Sequence, residues 1–123
     1  MGKQNLTDQE LEIMKVIWKL GNATVREVHE VLQETRTVAY TTVMTMMNIL
    51  ENKKHLTRRK AGRAFVYTPA HPKQQVIANM VEDFVERVFN GSARPLVLSL
   101  AKDRKLSTDD VEEIARLIEE QES

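Results

Sequence analysis

No cysteine occurs anywhere in the 123 residues. Disulfides, thiolate metal sites and thiol redox sensing are thereby excluded, and the chain fits a reducing cytoplasm. Long apolar runs are missing too: no stretch approaches the roughly 18 residues of a bilayer-spanning helix, and no signal-peptide core is present. Net charge is a further absence, since 18 Lys and Arg balance 18 Asp and Glu. Catalytic constellations are lacking as well. His29, His55 and His71 are scattered, and there is no glycine-rich phosphate loop or nucleophile elbow. His29-Glu30 begins like a zinc-protease helix, but its second histidine would fall at Gln33. The expectation is a non-enzyme with no cofactor and no metal.

The zero sum conceals an asymmetry. Residues 1–72 hold eleven basic against seven acidic side chains, and residues 73–123 hold seven against eleven. A +4 amino-terminal part joined to a −4 carboxy-terminal part suggests two jobs, only the first facing a polyanion. Hydrophobic content of 41% and charged content of 29% are those of a globular chain.

Thr7-Asp8-Gln9-Glu10 reads as a capping box opening a helix with Leu11, Met14, Ile17 and Trp18 on one side and Gly21 as its stop. Thr24-Val25-Arg26-Glu27 repeats the box, and Val25, Val28 and Leu32 give a shorter helix ending near Glu34. A third helix spans Ala39 to Leu50. Its Val43, Met46, Met47 and Leu50 recur at i, i+3, i+4, i+7 and make a buried stripe. The other side carries Thr41, Thr45 and Asn48, with Tyr40 and Met44 at its edges. That side is uncharged, short-chained and able to donate and accept hydrogen bonds, which suits base edges in a major groove.

After Leu50 come six cations and no acid between Lys53 and Arg63. Leu56 to Lys60 and Ala64 to Thr68 flank the turn Ala61-Gly62-Arg63, where Gly62 supplies a positive φ, and Pro69 and Pro72 end the second strand. A β-hairpin beside a helix-turn-helix is a wing. Its Arg58, Arg59, Lys60 and Arg63 are candidates for phosphate contact, while Tyr40, Thr41, Thr42, Met44, Thr45 and Asn48 are candidates for the groove.

Lys73 to Phe89 returns to helical period, with Val76, Met80, Phe84 and Val88 in one row and Ile77, Val81 and Val85 thickening it. Gly91 and Pro95 break this helix. Pro95 to Ala101, including Leu96 and Leu98, reads as a short apolar helix. Ser107 or Thr108 caps a last one, striped by Val111, Ile114 and Ile118. Three helices in fifty residues cannot enclose this much apolar surface, so a symmetric partner is expected to complete the core. The fold class is therefore mainly α with a small β-hairpin wing: a winged helix-turn-helix domain over residues 1–70 and a helical dimerisation domain over residues 71–123. The alternative is a winged-helix module that binds another protein and has no DNA role.

The segments Glu10 to Trp18, Thr24 to Glu27, Thr41 to Thr45, Phe65-Val66-Tyr67 and Leu96-Val97-Leu98 resemble, in order and spacing, the penicillinase-repressor (BlaI/MecI) family. The resemblance implies a cytoplasmic, homodimeric, winged-helix repressor of double-stranded operator DNA, controlling β-lactam-response or related genes. It places the groove-facing helix at Tyr40 to Asn48, with Met44 where members often carry a cation. The family's copper-responsive branch has a cysteine-rich tail that this chain lacks. The β-lactam branch implies proteolytic derepression, with a membrane sensor-protease as partner, at the bond Ser99-Leu100. Better-known members have Asn-Phe there.

Overall fold

Thr7 opens the first helix as its sequence requires. Its hydroxyl accepts from the Glu10 backbone N–H at 3.1 Å, and the Glu10 carboxylate accepts from the Thr7 N–H at 2.9 Å. The computed structural model describes residues 5–103 and 105–122, excluding the side chains of residues 118, 119, 121 and 122, so the Ile118 side chain lies outside the described residues. Helix α1 (Asp8–Leu20) ends at Gly21, whose φ of +89° is open to glycine at no steric cost. Its buried row is Glu10, Ile13, Met14 and Ile17, so the core face is rotated away from the expected Leu11 and Trp18, which are half-buried.

Helix α2 (Val25–Leu32) carries the second capping box, with Thr24 and Glu27 exchanging bonds of 2.8 and 3.1 Å. It stops at Leu32 rather than near Glu34. Residues 33–35 continue as turns, and Thr35 donates its backbone N–H to the Leu32 carbonyl. Helix α3 (Tyr40–Asn52) runs two residues beyond the expected end and buries Val43, Met47 and Leu50 completely, with Met46 half-buried. Strands β1 (Leu56–Ala61) and β2 (Ala64–Pro69) pair antiparallel from Leu56↔Pro69 to Ala61↔Ala64. Two corrections follow. The turn is the two-residue Gly62-Arg63, because Ala61 still pairs, and Pro69 is the last residue of β2, a place where its missing N–H is tolerated. Glycine at the first turn position with φ +65° is what a two-residue hairpin of the II′ kind requires.

A single bridge escaped the sequence pattern. Ala23 and Tyr67 exchange both backbone hydrogen bonds, at 2.9 and 2.8 Å, so the α1–α2 connection adds a one-residue third strand and fastens the wing to the helices. The core of this unit is Ile13, Met14, Ile17, Val28, Val43, Met47, Leu50 and Leu56, all essentially inaccessible to solvent.

The chain divides into compact units over residues 1–77 and 78–123, and the division falls inside helix α4 (Lys73–Phe89). In the second unit α4 ends in a tight cap. Asn90 and Gly91 take φ of +55° and +88°, and the Gly91 N–H reaches back to the Val85 carbonyl. Helix α5 (Arg94–Lys102) starts with Pro95 in its first turn and buries no side chain. Helix α6 (Thr108–Glu122) is capped by Ser107, which exchanges two 3.1 Å bonds with Asp110.

Candidate nucleic-acid interface

With Val43, Met47 and Leu50 committed to the core, the helical repeat turns Thr41, Thr45, Asn48 and Asn52 outward in one row. All four are exposed, and none carries charge. Tyr40, Thr42 and Met44 are exposed beside that row, so every groove candidate lies on the outer surface of α3. The entry of α3 is fixed by His29, whose Nε2 lies 2.8 Å from the accepting Val38 carbonyl and whose ring meets Tyr40 edge-on at 5.6 Å. His29 is thus a structural residue of the α2–α3 turn.

The hairpin register separates the wing's cations. Strand alternation puts Arg58 and Lys60 on the face of Phe65 and Tyr67, and Arg59 on the other face opposite Val66. Arg58 is already engaged: its guanidinium stacks 4.2 Å above the Phe65 ring and its Nε pairs with Glu51 at 3.3 Å. A hydrogen bond with Tyr67, opposed by some loss of hydration and helped by the Glu51 charge, holds its proton more tightly than usual. Arg59, Lys60 and Arg63 are exposed and form no ion pair among the described residues.

Between α3 and the wing lies an open cleft of about 510 Å³, lined by Arg26, Tyr40, Met44, Asn48, Arg63 and Phe65 among others. Arg26 and Phe65 were not legible as site residues. Arg26 stands in the first turn of α2, and its pairing with Glu30 at 3.6 Å is between strongly exposed side chains and therefore weak. Only the fold brings it into the same cleft as Arg63. The cleft lining thus combines cationic groups, which can meet phosphate, with aromatic, thioether and amide groups, which can meet base edges.

In the second unit Val81, Phe84, Val88, Leu98 and Val111 are exposed, while Met80, Leu96 and Ile114 are half-buried. Val76 and Ile77 fall in the amino-terminal unit, where Val76 is buried and Ile77 half-buried. Leu117, 53% exposed, and Phe89, edge-on to Phe84 at 5.8 Å, extend the apolar surface beyond the residues the periodicity singled out. Ser99 and Leu100 lie inside α5. No described helix is long and apolar enough to cross a membrane.

Three helices, a short bridge strand and a basic hairpin, followed by amphipathic helices, make this a winged-helix protein with a helical carboxy-terminal extension. The penicillinase repressor family model matches residues 6–120. The penicillinase repressor of Bacillus licheniformis is 36% identical over 115 residues, 94% of this chain and 90% of its own. Transcriptional regulator BlaI of Mycobacterium tuberculosis is 30% identical over 119 residues, 96% and 86% of the two chains. The solution structure of the Bacillus licheniformis BlaI monomeric form in complex with the blaP half-operator matches with a TM-score of 0.52 at 40% identity, over 59% of this chain and 89% of that one. The chain belongs to the penicillinase repressor family.

Proposed function

We propose that this protein is a cytoplasmic transcriptional repressor that binds double-stranded DNA sequence-specifically, as a homodimer on an inverted-repeat operator. The observation that carries the reading is the uncharged, outward row of Thr41, Thr45 and Asn48 accompanied within one compact unit by Arg26 and the wing cations. In this reading α3 lies in the major groove, where threonine methyls meet thymine methyls and the polar groups meet base edges. Arg59, Lys60 and Arg63 neutralise phosphates, with Arg26 beside them. Arg58 braces the wing. A relative solved on a half-operator supports an operator made of two halves. The exposed apolar faces of α4, α5 and α6 join two copies and set the half-site spacing. The family name directs the search for controlled genes to β-lactam response first.

Titrating the protein with a duplex from its own promoter region, across a range of salt, tests this. Specific binding should weaken steeply with salt, at roughly −0.9 per phosphate contacted in log–log slope. Replacing Arg59, Lys60 and Arg63 together by alanine should flatten that slope by about 2–3 on operator and random DNA alike. Salt-insensitive or absent binding would instead favour a protein-interaction module.

A further inference from the structure

Asn48 stands on the outward row of α3, yet its side chain is not free to choose its hydrogen bonds. The Tyr67 hydroxyl donates to its Oδ1 at 3.0 Å. Tyr67 itself is anchored: it is 2% exposed, and its backbone is bonded twice to Ala23. Arg58 sits directly opposite Tyr67 in the hairpin, its guanidinium held above Phe65 and in hydrogen-bonding reach of the phenol. Arginine has donors only and keeps its proton, so Arg58 can approach the phenolic oxygen only through a lone pair. The phenol's own proton must then go to an acceptor, and Asn48 Oδ1 is that acceptor. The amide is oriented as a result, carbonyl toward Tyr67 and NH₂ outward.

We infer that Tyr67 is a positioning residue that makes Asn48 a donor-only reader of the base edge, favouring guanine or thymine and disfavouring adenine and cytosine. The inference rests on the reading of α3 as the groove helix. A free asparagine matches adenine with two bonds, its NH₂ to N7 and its carbonyl to the N6 amino group. Here the carbonyl is turned to Tyr67, which occupies one of its two lone pairs and draws it away from the second bond to adenine. Adenine then keeps only the bond from the NH₂ to N7, with its N6 amino group unmatched beside it, and cytosine sets its N4 amino group against the amide NH₂, donor against donor. Guanine O6 and N7 and thymine O4 are acceptors and suit it. The wing therefore acts on sequence preference without touching a base, through a hydrogen bond to the helix that does.

The test measures relative affinities of the full chain for operator duplexes varied one base pair at a time. Wild type, Tyr67→Phe and Asn48→Ala are compared. At one position in each half-site, wild type should prefer guanine or thymine over adenine by about tenfold. Asn48→Ala, at an exposed site, should level that position alone. Tyr67→Phe keeps the buried ring and frees the carbonyl, so adenine should gain about tenfold there while preferences elsewhere hold. An Asn48-dependent preference for adenine in wild type overturns the inference, as does a Tyr67→Phe protein whose affinities fall equally on every duplex. Binding to random DNA without any Asn48-dependent position sinks this inference alone. Absence of salt-sensitive DNA binding sinks the groove reading and this inference with it.

Discussion

Glu10 closes the cap of α1 and, with the same carboxylate, accepts two bonds from Lys53 Nζ at 2.9 and 3.0 Å. It is the one buried charged side chain among the described residues, 4% exposed, and it ties α1 to the end of α3. Burial pushes its carboxyl up, but the Thr7 backbone bond, the Lys53 bond and the Lys53 charge outweigh burial and leave it below the ordinary 4.5. The folded state thus binds this proton less readily than the unfolded chain. The resulting stability is complete above about pH 4.5 and is lost as pH falls through the folded value. Lys53→Met should strand the carboxylate and cost about 2 kcal/mol at pH 7, less than for a fully buried pair because Lys53 is partly solvated. That corresponds to roughly 10 °C in melting temperature for a unit of this size. The gap to wild type should narrow as pH drops below 4.5, and a gap independent of pH would refute the pairing as its source. Sequence spacing exposed the Thr7–Glu10 box because its partners are three residues apart. Lys53, 43 residues from Glu10, becomes a partner only when α3 packs on α1. The pair of Glu12 and Arg36, at 2.7 Å, was equally illegible, and its exposure and salt screening keep its contribution small.

At the scale of elements, local signals were sufficient wherever one element closes on itself. Both amino-terminal capping boxes, the stripe of α3, the Gly21 stop and the alternation of Phe65 and Tyr67 are short-range patterns, and each reappears in the fold. The Ala23–Tyr67 bridge left no trace in periodicity because a single residue has none. The arginine brace under the wing was equally hidden, since a run of cations does not reveal which member meets an aromatic ring. The wing's register depends on its turn. A Cβ on Gly62 would meet nothing within 4 Å, so the cost of Gly62→Ala is the positive φ alone. It should be about 1 kcal/mol, visible as a lowered urea midpoint with unchanged slope, and Gly62→Asn should cost less than Gly62→Val. Equal losses for Asn and Val would show that the turn relaxes to another geometry. Helix α5 is the opposite case. It holds the Ser99-Leu100 bond in helical backbone but buries no side chain within its own chain, so little opposes its local unwinding in a single copy. A protease that needs extended substrate would find that opening inexpensive.

For the whole molecule, the informative quantity is apolar surface left uncovered. Phe84 at 39%, Leu98 at 55% and Leu117 at 53% exposure belong to three different helices of the second unit. At roughly 25 cal/mol per Å², so many large side chains constitute a driving force that one chain does not use. Helical periodicity revealed the surplus, but no sequence pattern names what covers it. A second copy, as proposed above, would cover it and suit a two-fold operator, and the acidic balance of residues 73–123 disfavours contact of this half with a polyanion. Phe84→Glu should therefore convert a dimer at micromolar concentration into a monomer in sedimentation. Its affinity for an isolated half-site should stay near wild type, because residues 1–77 form their own compact unit. Affinity for the full operator should fall by about 100-fold, the advantage that linking two binding modules ordinarily gives. A variant that turns monomeric yet holds the full operator as tightly as wild type would show that the two halves are read independently, and that the carboxy-terminal helices serve another partner.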